Sequence, residues 1–210
     1  LLQVGATWIA IFIIFAGVIE EHGGFDYILE LGSLIADKSQ SGVAQTAVIT
    51  SMFMGTMMGS SASNVATTGS FTIPLMKDQG IPPRFAAATE SIASTGGQIL
   101  PPIMGTAAFI MADIINVPYA EIAIGGVIPA LLFYGAVAIG IHYEMVKNGW
   151  TAKTSARISM DDGIEKDSER PSRIELLRRG IQYIVPIFVL IYLLMVARYG
   201  PMLAGVYTIG

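Results

Sequence analysis

Residues 59–68 place Ser60, Ser61, Ser63, Asn64, Thr67 and Thr68 in one short stretch, GSSASNVATT, inside a long apolar region. Hydroxyl, amide and backbone carbonyl oxygens are hard, neutral donors of the kind that suit Na⁺. Free carbonyls at the end of a broken helix add negative dipole. At membrane depth such a knot marks a place where the helix breaks, because irregular backbone is tolerated there only against protein or water. A second interruption follows at Ser94-Thr95-Gly96-Gly97-Gln98, ahead of Pro101-Pro102. Two interrupted apolar segments close together point to the ion or substrate site of a transporter. Small and hydroxyl residues also knit membrane helices together, so a packing role for the first knot stays open. The second is harder to explain that way, since a proline kink needs no preceding Ser-Thr-Gly-Gly.

Glu90 precedes the second break. An intramembrane carboxylate is a functional candidate, and two readings of it stay open: a group used in proton-coupled transport, or a solvated side chain at the inner boundary close to Arg84. Asp113 and Glu121 are expected at the outer boundary in water. His22 and His142 are isolated, so no metal site is expected of them. Met52, Met54, Met57 and Met58 read as adaptable packing. Ser60, Ser61 and Ser63 have no evident general base, GTMMGSS lacks the lysine of a phosphate-binding loop, and there is no cysteine. The chain is therefore read as no enzyme, with no cofactor beyond a coupling ion and no nucleic-acid partner.

These residues must be positioned by membrane helices. Hydrophobic residues make up 53% of the 210 and charged residues 13%, and mean hydropathy is +0.61. Apolar runs of bilayer length then imply an all-α integral membrane protein, and barrel alternation is absent. Residues 1–37 read as a first transmembrane helix and an interfacial arm helix. Residues 38–80 read as a re-entrant hairpin whose arms, 43–58 and 65–76, are too short to span, the second interrupted by Pro74. Residues 81–117 form one discontinuous transmembrane helix, opened by Pro82-Pro83 and broken before Pro101-Pro102, since proline removes a backbone donor and clashes with the preceding turn. Residues 118–142 are a span, 143–180 a charged connector, and 181–210 a further span and the start of another segment. From His142 to Gly180 the sequence holds eight of the twelve Lys and Arg residues, which places the connector in the cytoplasm. The hairpin base, with Lys38 and Lys77, then also lies inside. Both ends of the chain fall within apolar sequence, so a piece of a longer membrane protein is expected.

GSSASNVATTGSFTIPLMKDQGIPP, followed by ATESIASTGGQILPPIMGTAAFIMADIINVPYAEIAIGGVIPALLFY, resembles the large membrane subunit of tripartite ATP-independent periplasmic (TRAP) transporters. The resemblance is to the branch in which small and large subunits are fused. It covers nearly the whole chain and is strongest over residues 55–134. It implies the ion-transporter-superfamily fold, with inverted repeats that each hold a re-entrant hairpin and a broken helix, of which this chain carries one repeat. It implies an inner-membrane permease that imports a carboxylate by Na⁺ symport, an elevator motion, and a periplasmic substrate-binding protein as partner. The remaining half of the permease and the small-subunit helices are further expected partners. By this resemblance the hairpin tip falls on Ser60, Ser61, Ala62, Ser63 and Asn64, and the unwound helix on Thr95, Gly96, Gly97, Gln98, Pro101 and Pro102. Na⁺ is expected at Ser60, Ser63, Asn64, Gly96 and Gly97, with Thr67 beside them. A non-transporting scaffold subunit and a proton-coupled carboxylate transporter are the alternatives.

Overall fold

The computed structural model describes residues 41–150 without interruption, together with residues 14, 17–18, 21–24, 27–28, 30–32, 180, 185–186, 188–197, 199 and 201–209. Most of the expected first span and the charged connector beyond Trp150 lie outside the described residues. The described secondary structure is helical, with no strand.

α1 (Gly42–Met58) and α2 (Ser61–Asp78) are joined by Gly59 and Ser60 alone. Gly59 ends α1 in the left-handed conformation, φ 60°, and returns its N–H to Gly55 O at 3.1 Å, a cap that favours glycine. Ser60 is extended and its Oγ accepts the Ser63 N–H at 3.4 Å, the role of an N-cap serine. The chain thus reverses in two residues. The knot read from sequence as an unwound tip is, from Ser61 onward, the first turns of α2. Pro74 does not interrupt this arm either: α2 runs through it to Asp78, held between its two neighbours, where packing overrides local propensity.

α3 (Pro83–Gly96) carries proline in its first turn, where the missing N–H is no loss. It stops, and α4 (Thr106–Ile115) resumes after a loop. α5 (Tyr119–Asn148) is the one described helix long and apolar enough to cross a membrane. At 30 residues it measures about 45 Å. It runs six residues past the expected boundary at 142, because the left-handed turn that ends it falls at Gly149. A π-helical segment (Tyr192–Val196) and α6 (Pro201–Ile209) complete the described elements.

α1, α2 and α3 pack against one another, and α5 lies along α1 and α3. α1 is buried along most of its length. α3 turns inward Ala86, Thr89, Glu90, Ala93 and Ser94, the 3–4 spacing of one helical face. Two apolar clusters result. One gathers Val43, Ala47, Met76, Ile81, Ala86 and Met145 near the hairpin base. The other gathers Met54, Met57, Ile103, Met104, Phe109 and Tyr119 around the helix break. Between them the interior is polar. α5 leaves Ile124, Ile128, Leu131, Leu132 and Ile139 exposed, a face suited to hydrocarbon.

Candidate functional site

The hairpin turn and the helix break meet. Gly55 of α1 and Gly97 cross so closely that a Cβ on Gly55 would stand 2.6 Å from Gly97 Cα. A Cβ on Gly59 would strike Met104 O. Gln98 Nε2 donates to Ser61 Oγ at 2.9 Å, tying the break to the start of α2. Asn64, fully buried, donates through Nδ2 to Ser51 O at 2.8 Å, while its Oδ1 has no partner. That amide lies against the glycine crossing: Nδ2 would be 3.0 Å from a Cβ on Gly55.

The break differs from an unwound glycine pair. Gly96 is the last residue of α3, and Gly97 keeps right-handed helical dihedrals, φ −60° and ψ −26°. The last turn instead tightens: Gly97 N–H bonds Ser94 O, Gln98 N–H bonds Thr95 O, and Ile99 N–H bonds Gly96 O. This three-residue ladder frees Ala93 O, and Tyr134 Oη on α5 donates to it at 2.8 Å. Pro102 has no N–H to offer Gln98 O, which Gly105 N–H takes at 2.8 Å. Tyr119 Oη lies within hydrogen-bonding distance of both Pro102 O and Ile103 O, at 2.8 and 2.6 Å. The left-handed residue of the loop is Met104, φ 59°, a conformation uncommon outside glycine. The glycines serve close approach: a Cβ on Gly96 would meet Tyr134 Cζ at 2.8 Å.

One turn deeper lies a cluster that takes Thr68 from the first knot and Ser94 from the second but was not read as one site. Glu90 is fully buried. Its Oε1 accepts from Ser51 Oγ at 2.6 Å, from Ser94 Oγ at 2.9 Å and from Thr68 Oγ1. Its Oε2 accepts from Thr72 Oγ1 at 2.6 Å. The four hydroxyls come from three helices and are themselves buried. A solvated Glu90 beside Arg84 is therefore corrected: Arg84 is exposed in the first turn of α3, and Glu90 faces inward.

Residues 2–209 match the family described as "Tripartite ATP-independent periplasmic transporter, DctM component". The chain belongs to this family. It is 29% identical over 152 residues to the isethionate TRAP transporter permease protein DctMQ of Oleidesulfovibrio alaskensis, covering 70% of this chain and 23% of that protein. To the C4-dicarboxylate TRAP transporter large permease protein DctM of Rhodobacter capsulatus it is 25% identical over 140 residues, 60% of this chain and 32% of the relative. An uncharacterized protein, y4mL, of Sinorhizobium fredii is 26% identical over 128 residues, 61% and 30% of the two chains. The chain thus spans about a quarter to a third of the length of these relatives.

Among the residues singled out from the TRAP resemblance, the structure brings together Ser61 with Gln98, and Asn64 with the crossing at Gly97. Ser60 and Ser63 are exposed on the turn and first turn of α2, with Ser63 Oγ donating to Met58 Sδ at 3.9 Å. Thr95 points outward and donates to Ser91 O at 2.7 Å. Thr67 is half-buried, and Pro102 is buried beside the half-buried Pro101 in the loop. Ser51, Thr72, Tyr119 and Tyr134 were not singled out, and Ser94 only as the first residue of the second interruption. The available signal was spacing: Asn64, Thr68 and Thr72, like Glu90 and Ser94, recur every four residues on helical arms.

Proposed function

We propose that this chain is the first-repeat part of a multi-pass inner-membrane permease that imports an organic acid together with Na⁺, the acid being delivered by a periplasmic substrate-binding protein. The observation that carries the reading is the unpartnered, buried Asn64 Oδ1 where the hairpin turn meets the helix break. A buried acceptor without a donor is costly, and a cation at that junction satisfies it. Gly97 lies against Gly55 at the same junction. Ser60 and Ser63, exposed at the tip, complete the ion or substrate contacts from the other side of the turn. The hairpin enters and leaves on the cytoplasmic side. Locked to α3, it travels with the half-helix as one body in an elevator motion. The other half of the permease and the small-subunit helices supply the rest of the cavity.

Uptake by the full-length permease in proteoliposomes, with its binding protein and an inward Na⁺ gradient, tests this. C4-dicarboxylates and isethionate come first, following what the relatives are named for. Uptake that needs both Na⁺ and the binding protein is expected, and Asn64→Leu abolishes it while the protein still inserts. Na⁺-dependent uptake unchanged in Asn64→Leu removes Asn64 from the site. Uptake indifferent to Na⁺ rejects the symport.

A further inference from the structure

We propose that Glu90 is a proton-binding site whose partner Thr72 switches hydrogen-bond direction as the proton arrives. It goes beyond Na⁺ coupling and does not depend on it. The argument starts from charge. Glu90 is fully buried, and an isolated carboxylate in a membrane interior strongly favours a neutralising partner. No basic side chain supplies one among the described residues. α1 carries no ionisable group. The basic residues of α2 and α3, Lys77 and Arg84, are exposed at helix ends, as is Asp78. The titratable side chain of α5 beside the cluster is Tyr134, whose hydroxyl is spent on Ala93 O. Among the described residues the partners of Glu90 are hydroxyls alone.

Those hydroxyls can serve both protonation states. Thr72 Oγ1 lies 2.6 Å from Glu90 Oε2 and 3.0 Å from Thr68 O. Thr68 Oγ1 likewise lies near Glu90 Oε1 and 2.7 Å from Asn64 O. A hydroxyl has one proton and two acceptor lone pairs, so each threonine chooses between carboxylate and backbone. With Glu90 ionised, Ser51, Ser94, Thr68 and Thr72 all donate to it. When hydronium delivers a proton to Oε2 and leaves as water, the new O–H donates to Thr72 Oγ1, and the Thr72 O–H turns to Thr68 O. Oε2 is the oxygen that takes it, because among the described residues only Thr72 donates there, whereas Oε1 holds three donors. No heavy atom moves and no buried donor is stranded. Glu90 loses its negative charge, and no other covalent bond of the protein is made or broken. Because the cluster draws on α1, α2 and α3 together, proton uptake is linked to how the hairpin sits on the half-helix.

Infrared difference spectra of the purified full-length permease, stepped from alkaline to acidic pH, test the assignment without any substrate or Na⁺. Wild type is expected to gain a protonated-carboxyl stretching band that is lost in Glu90→Gln. In Thr72→Val the band persists but moves to higher frequency, because the acid proton has lost its acceptor; Thr72→Ser restores its position. Spectra identical in wild type and Glu90→Gln overturn the proposal. Should Glu90→Gln not fold, a band unmoved by Thr72→Val overturns it equally. Failure of Na⁺-driven uptake leaves these spectra unaffected, so the two readings fail separately.

Discussion

The same three helices build two polar layers one turn apart, and the layers are opposite in kind. In the deeper layer α1 gives Ser51, α2 gives Thr68 and α3 gives Ser94, and all of them converge on Glu90. Four residues towards the turn stand Gly55 on α1, Asn64 on α2 and, just past the end of α3, Gln98. There the helices touch through glycine, and the buried amide oxygen of Asn64 is left without a donor. A closed polar network fixes its members in place. A buried polar atom held open calls for an explanation, and a ligand is one. The deeper layer therefore reads as the joint that holds hairpin and half-helix together, and the shallower one as the place that receives something.

The comparison breaks most severely at the crossing. Gly97→Val puts a branched side chain against the Gly55 backbone, which cannot give as a flexible side chain would. We expect a loss of about 3 kcal/mol, the upper end of ordinary overpacking, seen as a lowered melting temperature of the full-length permease and lost uptake. An unchanged melting temperature would show that the two helices do not touch there. Glu90→Leu comes next. It removes the acceptor common to four hydroxyls, of which Thr68 and Thr72 have backbone alternatives and Ser51 can turn to Thr68 Oγ1 at 3.2 Å, while Ser94 has no second acceptor in the hydrogen bonds described. Stranding one buried donor and losing charged hydrogen bonds costs about 2 kcal/mol net. If Glu90→Leu is instead neutral in thermal melts, the deeper layer is no joint.

The two layers were unequally legible in the sequence. The membrane class, the helical content and the TRAP resemblance were carried by composition, apolar run lengths and two motifs. The polar knots drew attention to residues 59–68 and 94–98, and the structure does join Ser61 to Gln98. Glu90, Thr68 and Ser94 were each named, but the deeper layer was not read as one site because its members are scattered: Ser51 sits in an arm read as apolar, and Thr72 lies beyond the knot. Only pairing of the three helices brings them within reach of Glu90. The glycines were legible as special but for another reason, since Gly96 and Gly97 give space while the left-handed dihedral falls on Met104. Nothing local in a methionine announces that.

A smaller effect is expected where α5 services the break. Tyr134→Phe keeps the ring and removes the donor to Ala93 O. The carbonyl was freed because the last turn of α3 tightened, so no backbone N–H replaces the phenol. One buried hydrogen bond lost is about 1 kcal/mol. Were thermal melts of this variant to match wild type, the tightened turn would have to relax and reclaim Ala93 O for Gly97 N–H, which hydrogen exchange at Gly97 would reveal.

The smallest effect should come from the turn itself. Ser60 caps α2 by a long bond, 3.4 Å to the Ser63 N–H, and it is exposed. Ser60→Ala at an exposed helix start sits at the low end of N-cap losses, about 0.5 kcal/mol. The value of the variant lies in its contrast with that small number. If Ser60 only caps the helix, Na⁺-dependent uptake falls no more than stability does, and Ser60→Asn, an equally good cap, restores both. If Ser60 Oγ contacts the ion or the substrate, uptake falls far more than stability, and Ser60→Asn recovers the melting temperature without recovering transport. A cap and a ligand use the same oxygen, but only a ligand is sensitive to where that oxygen sits once the helix start is secured.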